Sequence, residues 1–441
     1  MGKPSVCPQE MPAKPRSRWA LWLTVATVAA ASQAINLLHV ARAQGCDSAA
    51  LRCSERLADF ATPDTRSYVG VARSIRDQGF LAGNFTQRQA GYPLVLAASL
   101  LLFASPLPAL WLNPLLAAAA AIAIAWLAAS FTGKQGAGLA AGLLFACWPN
   151  SYQWSPLLLT DTPHALLAVC AFAATLRWRA SEGSGSALAA GAAWLATQSL
   201  RPTFLALPLL LPLLLWKRSN RRYLALSLAI WLASCIAPAF QLIQNELRHG
   251  ELLPAQAPHS LATLQCYASS RLRAEFGEGG FGELRNRCMD AKRLDPQATT
   301  RRERDYLLSR PGAAASSYAG EIITQMLWPL RPYYYPRQAS FYPPWWWLGS
   351  GFMALYWLAA VGGWLLLLRG RRRDALFLAG VAAMILIPAG VTHWVGARIR
   401  FPLDLLFLPV VVLAATEWGT GLVTQWRLRR GAKRETDPVP E

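Results

Sequence analysis

Long apolar runs constrain this chain more than any other feature. Runs at 21–40, 223–243, 346–368 and 402–418, with a shorter one at 204–216, are predominantly hydrophobic. A helix of about 20 such residues spans the ~30 Å hydrocarbon core of a bilayer. No water is present there to satisfy a bare backbone N–H or C=O, so the runs are predicted to be helices. Composition agrees: 54% of the 441 residues are hydrophobic and 15% charged, where soluble globular domains carry about 25% charged residues. The sequence therefore predicts an all-α, polytopic transmembrane helical bundle and excludes a soluble fold. A net charge of +19 raises the question of nucleic acid. Yet no basic face is long enough to track phosphates, so the partner expected is the lipid bilayer and not nucleic acid.

The basic residues fall in short clusters between apolar runs, at 14–18, 177–179, 217–222, 369–373 and 427–434. Lys and Arg are retained on the cytoplasmic side of membranes, and assigning every cluster to that side gives about ten crossings with both termini inside. They are expected near 19–41, 109–130, 136–150, 161–177, 187–200, 203–216, 222–244, 346–368, 374–391 and 402–420. The apolar stretch 91–105 is short, and counting it would invert every later cluster; it reads as a partly inserted, non-spanning helix. The organisation that follows is a cytoplasmic N-terminus (1–18), a transmembrane core (19–244) with a first external loop at 44–90, a large periplasmic loop (245–345), C-terminal transmembrane helices (346–424) and a cytoplasmic tail (425–441). Lys14–Arg18 and Ala41-Arg42-Ala43 resemble the ends of a signal peptide, but the apolar run between them exceeds the usual ~7–15 residues and reads as an uncleaved anchor. On this topology Cys46, Cys53, Cys266 and Cys288 are external. They are compatible with disulfides Cys46–Cys53 and Cys266–Cys288 or with free thiols.

Candidate chemistry gathers where the external segments meet helix ends. In the first loop, Thr62-Pro63-Asp64 opens a helical pattern, DTRSYVGVARSIRDQG, with Thr62 as N-cap and Pro63 at the first helical position. Tyr68, Val71, Ala72 and Ile75 share one face, the pattern of a helix lying on the membrane surface. Asp64 stands at its start, with Tyr68 one turn on. Taken alone, Asp64 is adequately explained as a partner of the helix dipole. A second acid, Asp161, occurs in LLLTDTPHALL, and ionisable groups close to hydrocarbon default to functional candidates. Arg201, in SLRPTFLALP, and His393, Arg398 and Arg400, in THWVGARIRFP, are cations on the external side. An anionic ligand at the outer headgroup level accounts for them, since guanidinium matches phosphate geometry; pairing with lipid headgroups or loop acids is the plainer explanation.

These elements together resemble the integral-membrane GT-C glycosyltransferases that use polyprenyl-phosphate sugars, a superfamily that includes the protein mannosyltransferases and the aminoarabinose transferases acting on lipid A. The resemblance rests on DTRSY, AGYPLVLA, LLLTDTP, SLRPTFLALP, QNELRHGELLP and ARIRFPLDLL, which occur in the family's order over most of the chain. It implies transmembrane helices with surface helices in the first external loop and a site at their junction. Asp64 then matches the family's catalytic acid, Asp161 the acid of the second external loop, and Arg400 the Arg-x-Arg-x-Pro signature. Arg88 lies near a basic residue that some relatives carry before Gly-Tyr-Pro. DTRSY lacks the paired Asp-Glu of the protein mannosyltransferases, which weighs against a protein acceptor.

The expected activity is inverting transfer of a sugar from a polyprenyl-phosphate donor to a hydroxyl of a lipid, glycan or protein acceptor. It would take place at the periplasmic face of the inner membrane, with Asp64 as general base. Tyr68, Arg88, Arg201, His393, Arg398 and Arg400 would bind substrate, and Asp161 would orient the acceptor or hold a cation. No cofactor is required by the sequence, and a divalent cation stays open. A transporter or flippase for lipid-linked saccharides and a polysaccharide polymerase or ligase are the competing readings. Against the first, no repeat relates the two halves of the chain; against the second, the early DTRSY acid has no explanation. The spatial expectation is that Asp64 and the arginines of ARIRFP converge at the outer leaflet.

Overall fold

The computed structural model describes residues 15–43, 45–46, 63–80, 83, 85, 89–204, 206–215, 221–249, 257–328, 343–389 and 397–435. Helices make up nearly all of this, and no strand occurs among the described residues. In chain order they are α1 (Pro15–Ala43), α2 (Pro63–Gln78), α3 (Gly91–Phe103), α4 (Leu112–Thr132), α5 (Gln135–Ala146), α6 (Pro149–Trp154), α7 (Asp161–Ser181), α8 (Ser184–Leu200) and α9 (Leu207–Leu215). There follow α10 (Arg221–His249), α11 (Ala257–Glu275), α12 (Phe281–Leu294), α13 (Pro296–Leu308), α14 (Pro311–Leu327), α15 (Pro343–Gly370), α16 (Arg372–Ala389) and α17 (Ala397–Glu435).

Five segments are long and apolar enough to cross a membrane, by length and composition: Trp19–Ala43, Leu107–Thr132, Arg221–Leu247, Trp347–Gly370 and Arg400–Gly421. The other five expected crossings correspond to α5, α7, α8, α9 and α16. Of these, α5 has 12 residues and α9 has 9, about 18 and 14 Å at 1.5 Å per residue. Proline is the cause of the first break. Trp148 is extended ahead of Pro149, because a residue before proline is pushed out of helical geometry. The 91–105 segment is a 13-residue helix, about 20 Å long and short of a full crossing.

Helix α7 is the central post. Its side chains are buried along most of its length, as expected of a helix surrounded on all sides, and it packs against α4, α8 and α17. Basic residues meet at one end of the bundle. Arg179 pairs with Asp374, Arg371 donates to the Ser130 carbonyl at 2.7 Å, and Tyr223 stacks on Trp178 at 4.6 Å. The ends of α7 and α4, the start of α10 and the turn between α15 and α16 therefore share a side among the described residues, with Lys217–Asn220 outside them.

At the opposite end, α2 and α3 lie against the end of α1 and the 157–159 segment in an apolar cluster separate from the main core. The stripe on α2 that packs there is Thr65, Tyr68, Val69, Ala72 and Ile75, at i, i+3, i+4, i+7 and i+10. It is shifted slightly from the face read in the sequence, with Val71 only half-buried. The large loop is itself helical: α11–α14 form a unit whose α14 packs on α15, α16 and α17. Cys266 and Cys288 are joined by a disulfide between α11 and α12. Cys46 is also disulfide-bonded; Cys53 lies outside the described residues. Helix α17 runs 39 residues to Glu435, well into the stretch assigned to the cytoplasmic tail.

Candidate active site

The site is organised by the connector between α5 and α7, residues 147–160, whose polar groups are held by side chains from four helices. The Ala146 carbonyl accepts from Ser32 Oγ at 3.2 Å and the Tyr152 carbonyl from Asn36 Nδ2 at 3.0 Å. Asn113 Nδ2 donates to the Ser155 carbonyl at 2.7 Å, and Thr65 Oγ1 to the Leu158 carbonyl at 3.0 Å. Irregular backbone survives at membrane depth only when protein groups satisfy it in this way. Leu157, Leu158, Leu159 and Thr160 are buried as a result.

On this platform the first turn of α2 sits beside the first turn of α7. Tyr68 Oη and Thr160 Oγ1 are hydrogen-bonded at 3.1 Å, and the Tyr68 ring meets Tyr92 of α3 edge-on at 5.4 Å. Asp64, half-buried in the first turn of α2, has its carbonyl bonded by Ser67 Oγ at 2.8 Å. Asp161 opens α7 and is fully buried; its Oδ1 accepts from Arg201 Nη1 at 2.7 Å. Arg201 follows the last turn of α8 in extended backbone, and its side chain is 23% exposed. Tyr68, Thr160, Asp161 and Arg201 thus meet around one junction, with Asp64 one turn before Tyr68 on α2.

Arg400 stands differently. It is 2% exposed, and its Nε bonds Asp404 one turn along α17 at 2.9 Å. Its Nη1 reaches the carbonyls of Gln325, Met326 and Trp328 at 2.7, 2.9 and 2.7 Å. The last turn of a helix leaves carbonyls without partners, and a guanidinium with several donors caps α14 there. Asp404 in turn accepts from Asn150 of α6 at 2.7 Å. The connector therefore touches both groups, Asn150 at the Arg400–Asp404 pair and Thr160 at Tyr68. Arg400 lies at the same end of the bundle as Asp64; its Nη1 is engaged by α14, and its Nη2 is buried with no hydrogen-bond partner among the described residues. Arg88, His393 and the side chain of Arg398 lie outside the described residues.

Three buried polar residues at this end were missed by sequence reasoning. His164, one turn past Asp161, is 1% exposed and stacks on Phe204 at 5.3 Å, and neither ring nitrogen has a hydrogen-bond partner among the described residues. Spacing held a signal for it, since i+3 from a buried acid shares its helix face. Asp404, at i+4 from Arg400, was readable by the same rule. Asn150 was not, because its partner is 254 residues away. Among the described residues, no group of three His, Cys, Asp or Glu side chains is arranged to hold a metal.

No family model matches the sequence, and no curated protein matches it. Among solved structures, the chain is similar to the archaeal oligosaccharyltransferase AglB from Archaeoglobus fulgidus, solved with an inhibitory peptide and a dolichol-phosphate. The likeness covers 96% of this chain and 52% of that one, at 12% identity and a TM-score of 0.48. The chain thus spans about half the length of that protein.

Proposed function

We propose that the protein is a membrane glycosyltransferase that moves a sugar from a polyprenyl-phosphate donor to an acceptor hydroxyl on the extracytoplasmic face. One observation carries the reading: the helix bearing Asp64 is fixed to the segment that delivers Asp161, through Thr65–Leu158 and Tyr68–Thr160. Two acids and an arginine that are far apart in sequence are thereby held at one end of an apolar bundle, where a lipid-borne substrate presents its headgroup. The motif resemblance supports the same class.

Asp64 takes the proton of the acceptor hydroxyl as its oxygen bonds to the anomeric carbon. The bond from that carbon to the phosphate oxygen breaks, and polyprenyl phosphate leaves with the electron pair. The sugar inverts because attack and departure occur on opposite faces. A positioned general base contributes about 10²–10⁴-fold. The leaving phosphate is a weak base and needs charge stabilisation more than a proton. Arg201, partly exposed beside Asp161, supplies it in the manner of fixed cations aimed at developing charge. Asp161 holds Arg201 in place, and Arg400 orients α17 against the external helical unit. Arg88, His393 and Arg398 remain candidates for the phosphate.

The test is transfer in vitro from a panel of polyprenyl-phosphate sugars to envelope extracts, followed by mass spectrometry of the products. Asp64→Asn is expected to abolish transfer while expression and membrane insertion stay normal. Retained turnover in that variant would remove Asp64 from the mechanism.

A further inference from the structure

We propose that a groove at the basic end of the bundle, remote from Asp64, is a binding site for an anionic phospholipid. Helices α1 and α8 stand on either side of the α4–α7 pair, and between them lies a cavity of about 1140 Å³. Its lining is mostly small, with Ala26, Ala123 and Ala174 along it and Trp22, Trp126 and Arg177 toward the basic end. Small residues usually let helices close on one another; here they leave a channel. It extends along α7 from Arg177 to Cys170, two turns or about 10 Å, which fits within the ~15 Å of a single leaflet.

Charge selects the occupant. Arg177 is exposed and has no ion pair or hydrogen bond with any described residue, whereas Arg179, two residues along the same helix, is paired with Asp374. Tryptophans at the rim mark the headgroup level. An acyl chain along an alanine lining beneath a free guanidinium is the complement of a phospholipid with a net negative head. A zwitterionic lipid fills the groove equally well and gains less at the rim. Along α7 the groove begins at Cys170, about 14 Å from Asp161, and ends at Arg177, about 24 Å from it, so it is separate from the donor and acceptor positions proposed above.

The experiment uses the full-length protein in detergent, titrated with dioleoylphosphatidylglycerol or dioleoylphosphatidylcholine and read by native mass spectrometry of lipid adducts. The wild type is expected to hold phosphatidylglycerol about fivefold more tightly, the equivalent of ~1 kcal/mol for one basic residue at a headgroup. Arg177→Gln, a surface change, is expected to equalise the two lipids. Ala174→Trp, which fills the groove, is expected to lose both adducts. Equal affinities in the wild type, a preference that persists in Arg177→Gln, or full binding in Ala174→Trp would each overturn the proposal.

Discussion

Arg400 and Arg201 are held in two different ways: Arg400 is buried against a carboxylate and three carbonyls, whereas Arg201 is partly exposed on one buried acid. Arg400 joins one carboxylate and three carbonyls, so its removal strands Asp404 and uncaps α14 together. Arg400→Met is expected to cost about 3–5 kcal/mol, the usual penalty for breaking a buried pair from one side. Arg400→Met with Asp404→Leu should recover part of that loss in thermal unfolding of the detergent-purified protein. His164 invites the reverse expectation. Both nitrogens are buried with no hydrogen bond among the described residues, and a polar group in that state is a net cost. His164→Phe should therefore leave the melting temperature unchanged or raise it. The place of Asp64 in the first turn of a helix was legible in the sequence because its signals are local: a proline and an N-cap type directly before a helical pattern. The clamp made by Arg400 was not, because its three carbonyl partners come from a helix more than 70 residues away.

Element by element, legibility followed hydrophobic pattern. The long apolar helices and the short, non-spanning α3 were readable from run length. The helices α11–α14 were not, because 245–345 mixes charge with scattered apolar residues and gives no clear stripe. The approach of α3 to α8 depends on one side chain being absent. A Cβ on Gly91 would sit 2.7 Å from the Ser199 carbonyl oxygen, so Gly91→Ala must push the helices apart. The expected loss is about 1–3 kcal/mol, with transfer activity falling as Tyr92 moves off Tyr68; circular-dichroism melts and the transfer assay read the two effects. Gly363, set against the Val410 backbone where α15 crosses α17, is the corresponding point in the C-terminal half. The Cys266–Cys288 bridge closes a loop with a sequence separation of 22. Replacing both with Ser should cost the external unit about 3 kcal/mol, seen as faster limited proteolysis within 257–308 while the bundle stays protected.

For the molecule as a whole, polarity is the organising fact. Arg179, Arg371 and the start of α10 meet at one end, and Asp64, Asp161 and the α11–α14 unit sit at the other. If the basic end is cytoplasmic, cysteines introduced at Gly183 and at the exposed Glu283 will react with a membrane-impermeant maleimide from opposite faces. Labelling of both from one face would refute the orientation on which the proposed function depends.

The connector at 147–160 also dictates an order of assembly. Its conformation needs Ser32 and Asn36, then Thr65, then Asn113, and finally Asp404 to engage Asn150. During synthesis the earlier anchors are available long before the last, so the junction stays incomplete until nearly the whole chain has been made. Nascent or truncated chains ending before α17 can enter the bilayer helix by helix and still lack the Asn150–Asp404 contact, so the proposed activity is expected only of finished copies.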